Sequence, residues 1–145
     1  MAIKKTSKEE ILQEAIKLFK QKGYYNCSMA NIADACGLIK GSIYHYFKSK
    51  DEIGIESLKY IHNYFVDNIF SIAYDKNLKD EEKIKLIVEK TDEYFLNSKG
   101  GCLLGNLALE VSSENVEFQE VIKEYFTAWE NALVNIFKNK YEESK

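Results

Sequence analysis

Residues 28–53, Ser-Met-Ala-Asn-Ile-Ala-Asp-Ala-Cys-Gly-Leu-Ile-Lys-Gly-Ser-Ile-Tyr-His-Tyr-Phe-Lys-Ser-Lys-Asp-Glu-Ile, constrain the fold more than any other stretch. Ser28 is a good N-cap, and Ile32, Ala33 and Ala35 give the following residues an apolar side. Gly37 stops that helix, because glycine alone takes the left-handed C-cap conformation without steric cost. Leu38 packs inward, and a second helix of about two turns is predicted over residues 40–47. Small residues at Ala33 and Gly37 let the two backbones approach closely, as a helix-turn-helix requires. The exposed face of the second helix carries Lys40, Ser42, Tyr44 and His45, all hydrogen-bond donors. Donors on the first turn of a helix are what reading base edges in the major groove demands.

The net charge of −3 argues against a nucleic-acid partner until its distribution is read. Residues 1–50 hold nine lysines against four acidic residues, about +5, whereas residues 51–145 hold eleven against nineteen, about −8. A basic end on an acidic body suits a protein that touches phosphates with one end only. All basic residues are lysine, so bidentate arginine-to-guanine readout is excluded and Lys, Ser, His, Tyr or apolar contacts must specify bases.

Along the chain, residues 1–6 read as a loose basic arm. Ser7 with Glu10 forms a capping box, and Ile11, Leu12, Ala15, Ile16 and Phe19 form the apolar stripe of a first helix ended by Gly23. Tyr24 and Tyr25 follow, one ring expected over the head junction; a phosphate contact by a tyrosine hydroxyl is the other reading. Ser49 caps a long helix predicted to Ala73, with Ile53, Leu58, Ile61, Phe65, Ile69 and Ile72 inward. Lys50 sits in its first turn, where the helix dipole disfavours a cation; a nearby phosphate would offset that, and a solvated lysine is the alternative. Further helices are expected over residues 80–97, 103–111 and 114–140, the last capped by Ser112-Ser113. With no strand in view, the class is all-α: a helix-turn-helix head over residues 1–49 and a helical body over 50–145.

No apolar run approaches the roughly eighteen residues of a membrane span, so a cytoplasmic protein without a membrane partner is expected. Three cysteines at wide spacing argue against structural disulfides. Cys27, Cys36 and His45 fall nine residues apart, too far for paired zinc ligands, so neither a metal nor another cofactor is expected. Neither histidine, His45 or His62, has a nucleophile and an orienting acid at a suggestive spacing, and an enzyme is not indicated.

The run Ser28-x3-Ile32-Ala33-x3-Gly37-Leu38-x2-Gly41-Ser42-Ile43-Tyr44-x-Tyr46-Phe47-x2-Lys50 resembles the DNA-binding segment of TetR-type transcriptional repressors, with Ile11 to Phe19 and Gly23 supplying the preceding helix. Ile39 departs from that pattern, standing where the family usually has a small hydroxyl residue, and Cys36 stands where Ala is commoner. The resemblance implies a shortened TetR-like fold and a homodimer on a palindromic double-stranded operator. It places Ser28, Lys40, Gly41, Ser42, Tyr44, His45, Tyr46 and Lys50 at the DNA. It also implies a small-molecule effector lodged among the body helices, within reach of Tyr60, Tyr64, Tyr94, Phe95, Phe118, Tyr125 and Trp129.

The segment Gly100-Gly101-Cys102-Leu103-Leu104 is similar to one found at the same place in a TetR-type subgroup, some members of which respond to electrophiles. Cys102 reads either as a thiol activated by a helix N-terminus or as a small residue filling a tight turn. Members of the family usually run longer and pair through their last two helices. The alternative reading is therefore an interaction protein that keeps the head but no longer binds DNA as a standard dimer.

Overall fold

A computed structural model describes residues 6–97, 99–111 and 113–143; among them the chain is all-α, with seven α-helices and no strand. Helix α1 (Lys8–Lys22) begins where Ser7 Oγ accepts the Glu10 amide at 3.1 Å, and it buries Ile11, Leu12, Ala15, Ile16 and Phe19. Helix α2 (Met29–Ala35) opens on a reciprocal cap: the Asn31 amide donates to Ser28 Oγ and the Ser28 amide to Asn31 Oδ1. It closes at Gly37, whose φ of +68° lets the Leu38 amide return to the Ala33 carbonyl at 2.9 Å. The basic arm expected over residues 1–6 lies, apart from Thr6, outside the described residues.

Helix α3 (Lys40–Ile43) is one turn rather than the two expected. Beyond Ile43 the amides of His45 and Tyr46 reach back only three residues, to Ser42 and Ile43. This tighter winding buries Phe47 and places the Tyr46 hydroxyl to donate to the Thr6 carbonyl at 3.2 Å. Ile39 precedes α3 with no side-chain cap and lies exposed, consistent with the missing hydroxyl at that position.

Helix α4 (Lys50–Asn68) starts on the Ser49 cap but stops short of the expected Ala73, giving way to a 3-10 turn at Phe70–Tyr74. Two side chains take carbonyls there: Asn68 Nδ2 donates to Tyr64 O and Ser71 Oγ to Asp67 O. Such bonds compete with the helical ladder, and the tighter turn buries both Ile69 and Phe70. Helices α5 (Asp80–Leu96), α6 (Leu103–Glu110) and α7 (Val116–Glu143) complete the body. Asn115 Oδ1, accepting the Glu117 amide at 3.0 Å, caps α7 in place of the expected serine pair, of which Ser112 lies outside the described residues.

Helix α4 packs against α1 on the head side and α7 on the body side, and the buried apolar residues form one continuous cluster through both. Its Gly54 is what allows the closest approach. A Cβ there would fall 2.7 Å from Phe118 Cζ and 3.0 Å from Tyr24 Cε2, both on buried rings. At Gly41 a Cβ would meet nothing within 4 Å. Gly54→Ala is accordingly expected to destabilise the protein by about 1–3 kcal/mol through overpacking. Gly41→Ala should instead stabilise it by about 0.5–1 kcal/mol, because glycine inside a helix loses more backbone entropy. Urea denaturation of the two variants against the parent checks the opposite signs.

Candidate functional site

The head presents α3 and the residues after it outward. Lys40, Gly41, Tyr44, His45 and Lys48 are exposed, while Ile43 and Phe47 on the inner side are buried. Ser42 and Tyr46 are half-buried, and Ser28 is exposed beside them in sequence order at the start of α2. Lys40, Ser42, Tyr44 and His45 therefore remain polar donors on one short element whose apolar side anchors it to the core. That combination fixes position without covering the donors.

Lys50 is placed differently from a simple outward cation. Its Nζ donates to the Tyr24 carbonyl at 2.9 Å and lies 4.3 Å over the Tyr24 ring. Tyr24 itself is buried and makes contacts in four directions. Its ring packs with Phe19 at 5.2 Å and with Phe118 at 5.4 Å. Its amide donates to Glu110 Oε2 at 3.0 Å and its hydroxyl donates to Asp51. Burial, with Asp51 accepting the proton, pushes the phenol well above its ordinary range. The neighbouring Tyr25 is exposed and donates to Glu114 Oε2 at 2.7 Å. The junction thus uses Tyr24 for packing and Tyr25 as an outer clasp. Asp51, Glu110 and Gly54 carry no sequence signal for this role beyond a glycine inside an otherwise regular helix.

A profile of bacterial regulatory proteins of the tetR family matches residues 11–56, which span α1, α2, α3 and the start of α4. The uncharacterized HTH-type transcriptional regulator YxaF of Bacillus subtilis is 29% identical over 143 residues, covering 96% of this chain and 74% of its own length. A TetR transcriptional regulator from Legionella pneumophila has the same fold, with a TM-score of 0.82 at 27% identity over 96% of this chain and 75% of that one. Residues 11–56 thus match the tetR family, and the chain has the fold of a TetR transcriptional regulator. A shorter match, 35% identical over 60 residues, joins 41% of it to 32% of the biofilm operon negative transcriptional regulator IcaR of Staphylococcus epidermidis. Across three curated relatives matched along most of its own length, the chain spans 74%, 60% and 64% of theirs.

Of the aromatic residues expected at an effector site, Tyr64, Tyr94, Phe95 and Tyr125 all pack around Phe65, at ring-centroid distances of 6.0, 4.9, 6.2 and 5.4 Å, whereas Phe118 and Trp129 lie elsewhere. Tyr60, Tyr64 and Tyr94 line a cleft of about 730 Å³ bounded by α1, α4 and the end of α5. Phe118 lies buried at the head junction under Gly54. Tyr125 lies 5.4 Å from Phe65 and 5.6 Å from Phe70, and Phe95 lies 6.2 Å from Phe65. Cys102 stands just ahead of α6 with no side-chain cap, and Trp129 is exposed on α7. The cleft also takes Gln13, Lys17, Lys20, Lys90, Glu93 and Lys99, none of which the sequence marks out. Among the described residues no group of His, Cys, Asp and Glu is placed to hold a metal ion. Nor is any helix there long and apolar enough to cross a membrane.

Burial raises the Tyr94 phenol to about 12 and pushes that of Tyr125 higher still. Below pH 10 the folded and unfolded chains both keep these protons, and no pH dependence arises from them. Between about pH 10 and 12 the unfolded chain loses them while the folded chain holds them, so stability falls as pH rises. Denaturation midpoints measured from pH 9 to 11.5 should decline, and Tyr94→Phe should decline less steeply than the parent.

Proposed function

We propose that the protein is a transcriptional repressor that binds a palindromic operator as a homodimer, under the control of a small-molecule effector held by its body. The observation that carries this reading is the outer face of the head, where Lys40, Tyr44 and His45 are exposed on a turn locked from behind by Ile43 and Phe47. The negative regulator IcaR, 35% identical over 60 residues, supports the direction of control. On this reading residues 1–49 contact DNA and residues 50–145 pair the two copies and receive the signal, in the cytoplasm where the operator lies.

Lys40 and Ser42 point at bases, and Tyr44, His45 and Lys48 at phosphates and sugars. Gly41 leaves open space for the backbone to approach DNA, since nothing lies within 4 Å of where its Cβ would be. Ser28 and Tyr46 hold the ends of the unit. Lys50 reaches a phosphate only by leaving the Tyr24 carbonyl, so DNA binding there exchanges one cation contact for another.

Pairing falls to α7. Phe126, Trp129, Val134 and Phe137 are all exposed on it, an apolar surface that a second copy would cover. A two-fold pair would set two heads about one helical turn of DNA apart.

Three measurements test these roles. With DNA fragments selected by the purified protein, Tyr44→Phe should weaken every sequence alike, whereas Lys40→Ala and Ser42→Ala should change sequence preference. Lys48→Ala should reduce the slope of log affinity against log salt by about one unit. Protein that selects no sequence over random DNA would falsify the repressor reading and favour the interaction protein instead. For pairing, sedimentation of the parent at micromolar concentration should give a dimer, and Trp129→Glu with Phe137→Glu should give a monomer with reduced operator affinity. A parent that sediments as a monomer overturns the α7 assignment.

A further inference from the structure

The cleft between α1, α4 and α5 combines two properties that no single helix shows. Its lining includes a pair of tyrosine rings, Tyr64 and Tyr94, with centroids 5.3 Å apart and planes tilted by 33°. Its edges bring together Lys17, Lys20, Lys90 and Lys99 against one acidic residue, Glu93. These lysines come from α1 in the head and from the end of α5 and its following turn in the body, so folding gathers them. The body as a whole is acidic, with nineteen acidic residues against eleven lysines over 51–145, which makes this local excess of positive charge run against its surroundings.

Lys20 is the key member. Its Nζ sits 5.4 Å from the centre of the Tyr94 ring. Burial lowers its pKa below the usual lysine value, so the charged form lacks the solvation it would have in water. Among the described residues neither Lys20, Lys90 nor Lys99 forms an ion pair, while Lys17 is held at 3.1 Å by Glu14. A partly desolvated lysine over an aromatic ring, with two further unpaired lysines at the same opening, is short of an anion.

We infer that this cleft binds a flat apolar carboxylate, its acid group among Lys20, Lys90 and Lys99 and its apolar part on the Tyr64 and Tyr94 rings. The inference deepens the effector role in the repressor reading by naming the effector's chemical class, and it rests on that reading only for the consequence at DNA. An aromatic body stacked on the rings removes apolar area from water, and the carboxylate supplies the charge that the lysines lack. A volume of about 730 Å³ lies within the range of small-molecule sites.

The location also explains how such a ligand would be felt by the head. Gly100, at φ +93°, lies so close to α1 that a Cβ on it would fall 2.7 Å from Lys20 Cβ and 2.8 Å from the Lys20 carbonyl oxygen. Asn106 Nδ2 in α6 donates to the Gly100 carbonyl at 2.9 Å and fixes that turn to the body. A carboxylate bridging Lys20 to Lys90 and Lys99 therefore ties the first helix of the head to α5 and to the turn leading into α6. Any preference for one head orientation becomes a change in DNA affinity, and DNA changes ligand affinity by the same factor.

The test uses the full chain with 2-naphthoate as probe and 2-naphthylmethanol as its uncharged counterpart, by calorimetry without DNA. Naphthoate should bind one to one with a sub-millimolar dissociation constant, at least tenfold more tightly than the alcohol. Lys20→Gln with Lys90→Gln should weaken naphthoate at least tenfold and leave the alcohol within about twofold. Glu93→Gln should strengthen naphthoate several-fold, an opposite sign that loss of folding cannot produce. Absence of saturable naphthoate binding, equal affinity for the alcohol, or insensitivity to the lysine pair overturns the inference. A gel shift with selected DNA, with and without naphthoate, is read separately. Protein that binds naphthoate as expected but selects no DNA refutes the repressor reading and leaves the site intact.

Discussion

The contacts of Tyr24 govern how the two ends of this molecule are related, because one residue binds the end of α1 to α4, α6 and α7 at once. Its ring sits between Phe19 and Phe118, its hydroxyl meets Asp51, its amide meets Glu110 and its carbonyl receives Lys50. Each contact is of ordinary strength: about 0.5–1.5 kcal/mol for an aromatic pair beyond its burial, and about 1.5–3 kcal/mol for a hydrogen bond to a charged group. Their shared residue makes them cooperative. A change that displaces α6 or α7 meets the α1 end through this one buried residue, and Gly54 keeps the space in which the two rings meet.

This arrangement gives the Lys50 side chain two claims on it. The first turn of α4 already holds Asp51 and Glu52, which suit a helix N-terminus better than a cation does. The cost of placing Lys50 there is offset within the chain by the Tyr24 carbonyl and ring.

The cleft follows from the same geometry. Helix α1 must lie across α4 for Ile11, Ile16 and Phe19 to be buried. That crossing leaves the polar side of α1, with Lys17 and Lys20, facing the end of α5 across a gap. The gap persists because the α5–α6 turn, with Gly100 against Lys20, sets how near the body approaches.

Much of the head was legible from local chemistry alone. The caps at Ser7, Ser28 and Ser49, the stop at Gly37 and the apolar positions of α1 and α4 depend on neighbours within one helical turn, and those neighbours are printed in the sequence. The charge division between residues 1–50 and 51–145 needs no structure either. What escaped that reading depends on residues far apart in the chain. The shortness of α3 goes with Tyr46 reaching Thr6, far off in the sequence. The end of α4 and the cap of α7 are local exceptions, where Asn68, Ser71 and Asn115 side chains compete for nearby backbone groups. That Tyr64, Tyr94 and Tyr125 meet on Phe65 while Phe118 meets Tyr24 was set by how the helices pack. The lysines at the cleft gave no sign at all, because a charged residue on a polar helix face looks the same whether it faces water or another helix. Periodicity fixes which side of a helix turns inward; only the packing of the helices decides which outward residues meet.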